Sequence, residues 1–299
     1  MADPRFRGSG VALVTPFGEE GVNEAVLREL VRVQRQEGTD ALIVCGSTGE
    51  AATMSPEEQR HALDVVLDEA DGAIPVIMGC GGSDTRQVTR LARQAAEAGA
   101  DAVLVSAPPY NKPTQKGLLA HYRAVLDAQD RPLIVYNVPG RTSVNILPAT
   151  IAELARDERV IGVKEACGDI SQVAELARVL GERALIWSGN DDQTVPIMAL
   201  GGVGIISVLA NVAPRATSRM AHLFLDGDAA GARRAQLRLL PLIAALFAES
   251  NPIPVKTAVG MLGYDVGPLR LPLTPASDST RQRLATAMRE AGLAVPASV

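Results

Sequence analysis

Eight apolar runs, rich in β-branched residues, recur along the chain: GVALVTPF (10–17), ALIVCGST (41–48), PVIMGCG (75–81), AVLVSAPP (102–109), LIVYNVPG (133–140), VIGVKEA (160–166), ALIWSGN (184–190) and GIISVLA (204–210). Each is nearly continuous in hydrophobicity rather than alternating. That pattern belongs to parallel strands covered on both faces. Between the runs, apolar residues follow helical spacing. In 24–38, Val26, Leu27, Leu30, Val31 and Val33 share one broad face. Ser55-Pro56-Glu57-Glu58 has the order of an N-cap, a proline in the first turn and a capping-box glutamate. Segments 85–98, 115–128, 170–180 and 214–225 read as further helices.

Eight strand–helix units within about 225 residues predict an α/β chain, a (β/α)8 TIM barrel, rather than an open doubly wound sheet. Residues 226–299 hold no comparable strand-like run and read as roughly three helices, with Pro252, Pro254, Pro268 and Pro272 at the joins. We therefore expect a barrel over 1–225 carrying the active site and a C-terminal helical appendage over 226–299. Gly79-Cys80-Gly81-Gly82-Ser83-Asp84 approaches a dinucleotide fingerprint but ends in Asp, and no GxxxxGK is present.

Composition narrows the functional classes. The 299 residues carry a formal net charge of -5, which speaks against a nucleic-acid-coating surface. No apolar run reaches the ~18 residues of a membrane span, and the start, MADPRFRGSG, lacks the apolar core of a signal peptide. Three widely spaced cysteines, Cys45, Cys80 and Cys167, form neither a disulfide framework nor a zinc pattern. A cytoplasmic setting is expected. Arginine supplies most of the 29 basic residues, leaving lysine only at Lys112, Lys116, Lys164 and Lys256. A lysine kept in such a chain is a candidate for work that needs an amine.

Barrel active sites lie at the C-terminal ends of the strands, and polar motifs gather there. On the sixth run, alternation puts Gly162 and Lys164 on one face and Ile161, Val163 and Glu165 on the other. The apolar pair suits the helix-facing side, so Lys164 is expected to point into the barrel. Burial would favour its neutral amine, which can condense with a keto acid as arginine cannot. A structural lysine paired with a carboxylate is the alternative. Tyr136 ends the neighbouring run, where a phenol can move protons or merely plug the core. Gly46–Glu50 could aim N–H groups and hydroxyls at a carboxylate, or be an ordinary glycine-rich turn. Arg141 could grip a second carboxylate, or form a surface ion pair. His61, His121 and His222 fall in helical segments and are expected on helix surfaces. Asp191 and Asp192 are expected in the first turn of a helix, where negative charge is favoured.

The motifs GSTGE, PPYNKPTQKG, YNVPGRT, GVKEA, SGNDD and NPIPVK, in this order and spacing, resemble the dihydrodipicolinate synthase family of pyruvate-dependent class I aldolases, from about residue 7 to at least residue 265. The resemblance implies condensation of pyruvate with L-aspartate 4-semialdehyde, feeding lysine and diaminopimelate synthesis. It implies no metal or redox cofactor, since a protonated imine serves as electron sink. Lys164 would form the Schiff base and Tyr136 would donate and accept protons. Thr48 would join the proton relay and bind pyruvate. Ser47, where the family more often has threonine, would keep the relay hydroxyl. Tyr110 would complete the relay of a neighbouring subunit, which implies a homo-oligomer, a tetramer built as a dimer of dimers. Arg141 would bind the aldehyde substrate's carboxylate, and the backbones of Gly189 and Ile206 would line the pyruvate pocket.

Two rivals are a sister aldolase acting on a sugar acid or hydroxy-oxo acid, and a non-catalytic barrel that binds keto acids. Arg141 within YNVPGRT argues against the first; Lys164, Tyr136, Thr48 and Tyr110 together argue against the second. Lysine-sensitive members hold lysine with polar groups whose counterparts here are Pro56, Gln59, Gln87 and Pro109, so weak or absent inhibition by lysine is expected.

Overall fold

The computed structural model describes residues 3–295. Eight strands form the barrel: β1 (Gly8–Ala12), β2 (Ala41–Val44), β3 (Val76–Gly79), β4 (Ala102–Ser106), β5 (Leu133–Asn137), β6 (Val160–Glu165), β7 (Leu185–Ser188) and β8 (Gly204–Ser207). Each pairs in parallel with its sequence neighbours, and β8 closes on β1 through Gly8↔Gly204 and Val11↔Ser207. The expected (β/α)8 barrel is the observed fold. The connecting helices are α1 (Glu24–Gln36), α2 (Pro56–Ala70), α3 (Thr85–Ala98), α4 (Gln115–Ala128), α5 (Pro148–Leu154), α6 (Ile170–Leu180), α7 (Thr194–Ala199) and α8 (Pro214–Leu225). Three more follow: α9 (Ala229–Leu246), α10 (Ile253–Met261) and α11 (Asp278–Glu290). The first two and last four residues of the expected barrel and appendage lie outside the described residues. No helix among the described residues is long and apolar enough to cross a membrane.

Local chemistry sets the element ends. Ser55 Oγ accepts from Glu58 N, and Glu58 Oε2 accepts from Ser55 N, so α2 starts on the expected capping box. Every apolar run outlasts its strand at the C-terminal end. The run 41–48 stops being strand after Val44, where Cys45 takes φ 55°. The residues that close each run leave the ladder and build the barrel's upper rim, polar after β2, β5 and β7 and apolar or glycine-rich elsewhere.

The inward-facing layer contains Ile43, Ile77, Leu104, Ile134, Ile161, Trp187 and Ile206. Phe6 closes this layer, its ring stacked on Trp187 at 5.0 Å and its carbonyl accepting from Trp187 Nε1 at 3.2 Å. The outer faces of the strands pack under α1–α6. Ile161 departs from its expected helix-facing place. The β5–β6 register passes from Leu133↔Val160 to Ile134↔Gly162, so one extra residue on β6 turns Ile161 inward. Beyond this bulge, alternation resumes as expected. Gly162 makes room for the tryptophan: a Cβ there would fall 2.4 Å from Trp187 Cζ3.

His121 also departs from expectation. It is 4% exposed on the inner face of α4, with Leu118, Tyr122 and Val125, and its Nδ1 lies 2.9 Å from Thr85 Oγ1. Burial pushes its pKa down to about 4. The i, i+3, i+4 spacing of these four residues was the available signal. His61 is exposed, as expected, while His222 is half-buried with Nε2 3.0 Å from Asp40 Oδ2.

Candidate active site

Lys164 and Tyr136 face each other in register across β6 and β5. Lys164 is 5% exposed, and its Nζ lies 4.3 Å from the centre of the Tyr136 ring. Loss of solvation brings the Lys164 pKa down to about 7; the negative charge of Asp191 resists the shift and the positive charge of Arg141 adds to it. A large fraction of this amine is therefore neutral near pH 7, with its lone pair free. Burial pushes the Tyr136 phenol up to about 12, moderated by Arg141. Tyr136 thus holds its proton at neutral pH and stands ready as a donor.

Gly189 follows β7, and its N–H donates to the Glu165 carbonyl at 2.7 Å. A Cβ at this position would sit 2.7 Å from Ala166 Cβ and 3.2 Å from Lys164 Cγ. Glycine is therefore what lets β7 close against the Lys164 side chain. Ile206 is fully buried in the inward layer against which Tyr136 packs.

The turn after β2 supplies Thr48, which is 3% exposed. Thr48 Oγ1 accepts from Asn251 Nδ2 at 3.0 Å, which leaves its own hydroxyl proton free to donate elsewhere. The Asn251 carbonyl accepts from Arg141 Nη2 at 2.9 Å, so one asparagine ties the threonine to the arginine. Arg141 stands at the solvent edge of this group, where an incoming carboxylate would meet it. Ser47 and Tyr110 are not drawn in. Ser47 is exposed, and Tyr110 is 89% exposed on the loop after β4, with φ 70°.

Three features have no counterpart in the roles expected from sequence. Asn251, the first residue of NPIPVK, bridges Thr48 and Arg141 from the turn between α9 and α10. Lys256, the last residue of that motif, is buried: its Nζ donates to Glu50 Oε1 at 2.7 Å and to the Pro268 carbonyl at 2.9 Å. Glu50 Oε2 also accepts from Arg270 N at 3.0 Å, so the GSTGE turn is anchored to the chain's C-terminal part. The third is Asp191. A short 3-10 turn, Asp191–Gln193, does lead into α7, but the Asp191 carboxylate turns inward and is 2% exposed. It accepts from Ser207 Oγ and from the backbone N–H groups of Val208 and Leu209 beyond β8. Asp192 stays exposed. Of the four lysines, Lys112 and Lys116 are exposed, Lys256 is paired with Glu50, and Lys164 is buried beside Tyr136.

A 4-hydroxy-tetrahydrodipicolinate synthase of Thermoanaerobacter sp. is 53% identical over 291 residues, 97% of this chain and 98% of the relative. Dihydrodipicolinate synthase from Thermotoga maritima has the same fold at a TM-score of 0.95 and 42% identity, over 97% of this chain and all of that one, 100%. The chloride-inhibited dihydrodipicolinate synthase from Acinetobacter baumannii, complexed with pyruvate, matches at a TM-score of 0.94 and 39% identity, over 96% of this chain and 99% of that one. The sequence also matches the family profile over residues 5–291, and the chain belongs to the dihydrodipicolinate synthetase family.

Proposed function

We infer that this chain condenses pyruvate with L-aspartate 4-semialdehyde to 4-hydroxy-tetrahydrodipicolinate, in lysine and diaminopimelate synthesis. The observation that carries the reading is the Lys164 amine, desolvated at the end of β6 and facing the Tyr136 phenol. In this reading Lys164 Nζ attacks the keto carbon of pyruvate, water leaves, and the imine loses a proton to become an enamine. The enamine carbon attacks the aldehyde. The amine of the second substrate then closes onto the imine carbon and releases Lys164. Tyr136 moves the protons, and Thr48, held by Asn251, donates to the pyruvate carboxylate or the relay. The Gly189 and Ile206 backbones line the pyruvate pocket. A coupled assay with both substrates tests the reaction. Borohydride with pyruvate should leave a stable adduct on Lys164, and a label found on Lys112, Lys116 or Lys256 instead would overturn the assignment.

Arg141 is assigned to the carboxylate of aspartate semialdehyde. Arg141→Ala should weaken that step roughly 10- to 150-fold, the worth of a charge-assisted hydrogen bond of about 1.5–3 kcal/mol. Pyruvate trapping should change little. An unaltered dependence on aspartate semialdehyde would move the role elsewhere.

Tyr110 is assigned, with Ser47, to a relay completed between subunits. A solvent-facing phenol held at positive φ makes sense if a second copy receives it. The active unit is then at least a dimer, and the assembly a homotetramer in the cytoplasm. Tyr110→Phe should lower turnover while imine formation survives, and a fully active monomer in dilute solution would contradict the assignment.

Lysine should inhibit weakly or not at all. Gln59 offers no charge, and its amide already donates to the carbonyls of Ala51 and Met54. Gln87 is a neutral amide, and Pro109 has neither phenol nor N–H. Losing a charged contact shifts inhibition by one or two orders of magnitude, about 1.5–3 kcal/mol. Half-inhibition at sub-millimolar lysine in the coupled assay would refute this.

A further inference from the structure

Asp191 lies two residues after Gly189, just past the end of β7. Its carboxylate takes three donors from the end of β8 and the turn beyond: Ser207 Oγ at 2.5 Å on Oδ1, and Val208 N at 3.1 Å and Leu209 N at 3.2 Å on Oδ2. Behind it, the Asp191 carbonyl accepts from Gln236 Nε2 of α9 at 2.9 Å. The residue is thus held from two sides, and it staples the end of β7 to the end of β8. Those two strand ends carry Gly189, which leans on Lys164, and Ile206, directly before Ser207.

We propose that Asp191 is a positioning residue for the Schiff-base step: it holds the β7 and β8 ends around Lys164 and presents a fixed negative charge to the iminium formed there. The inference rests on the proposed function, in which Lys164 captures pyruvate. In that step Nζ adds to the keto carbon, the carbinolamine hydroxyl takes up a proton and leaves as water, and a C=N⁺ bond remains, with no change of oxidation state. A positive charge is then fixed where burial favours a neutral amine. A carboxylate already hydrogen-bonded in place meets that charge without reorganisation. The titratable and charged groups acting on Lys164 are Tyr136 from β5, Arg141 from the turn after it, and Asp191. Of the two charges, Asp191 favours a positive nitrogen and Arg141 opposes it, and the Tyr136 ring face also favours a cation. Burial raises the Asp191 pKa, opposed by its bonds to Ser207, Leu209 and Val208 and by the charge of Lys164.

Borohydride trapping of pyruvate on Lys164, followed across pH in the full-length chain, tests this. In Asp191→Asn the acid limb of imine formation should move down by about one pH unit, since an attractive charge is gone. KM for pyruvate should rise about tenfold, with a smaller change in kcat. A merely structural tie would lower the yield and leave the limb in place, so an unmoved limb overturns the proposal. If Asp191→Asn does not fold, Ser207→Ala carries the test, because it keeps the charge and removes one tether. There the limb should hold while KM for pyruvate rises severalfold, and an unchanged KM overturns the proposal. Failure of the proposed function itself is told apart by the wild-type protein, which would then show no pyruvate-dependent label on Lys164.

Discussion

Lys164→Met should reduce synthase activity by roughly four orders of magnitude or more, the usual scale for losing a nucleophile whose partners act with it as a unit. Lys164→Arg should do the same, since a guanidinium keeps the charge but cannot form an imine. The methionine variant should nevertheless fold and melt no lower than wild type, because it removes a buried, desolvated amine. The pH dependence has a definite sign. The Lys164 pKa falls from 10.5 to about 7 in the folded chain. Between those values the unfolded chain binds the extra proton. The penalty for burying this amine is therefore full below pH ~7 and fades as pH rises toward ~10.5. Subtracting the stability curve of Lys164→Met from that of wild type isolates the effect, and a flat difference would contradict the depressed pKa. In wild type, kcat/KM for pyruvate should climb with pH through about 7 as the amine loses its proton.

Lys256→Met should destabilise the fold by about 3–5 kcal/mol, the cost of leaving a buried charge without its partner. The two side chains are 2% and 0% exposed, so water cannot replace the lost contact at Glu50. Desolvation already lowers the Lys256 pKa, with Glu50 opposing it. Pairing Lys256→Met with Glu50→Gln should recover much of the loss, since no unpaired buried charge then remains. Denaturant unfolding of the two single variants and the double variant reads this directly. A single-variant loss below about 1 kcal/mol would show that the pair is solvated after all. Because Glu50 ends the turn that carries Thr48, Lys256→Met should also lower turnover in the fraction that stays folded.

The element pattern was legible because parallel strands covered on both faces need unbroken apolar runs, and surface helices need a stripe. The eight runs lie where the barrel strands are, and the capping box at Ser55 marks the start of α2. Strand ends were less legible. Apolar and glycine residues continue past the point where the backbone leaves the ladder, as at Cys45, and hydrophobicity carries no mark of a positive φ. The inward direction of Lys164 followed from alternation near the end of β6, although alternation failed at Ile161 three residues earlier. A bulge depends on how the partner strand is registered, and one strand's sequence does not contain that.

From the sequence alone came the barrel, the three following helices, the inward-facing lysine on β6 and, through the motif resemblance, the family. These rest on local periodicity and on residue chemistry, which survive without knowing what touches what. Only the tertiary structure decided that Asn251 joins Thr48 to Arg141 and that Lys256 serves Glu50 rather than a substrate. It also turned Asp191 inward to β8 and buried His121 against Thr85. Each of these depends on partners up to 206 positions apart along the chain, as for Glu50 and Lys256. A polar side chain takes an inward or outward place according to whether such a distant partner repays its desolvation, and closure of the barrel is what brings that partner within reach.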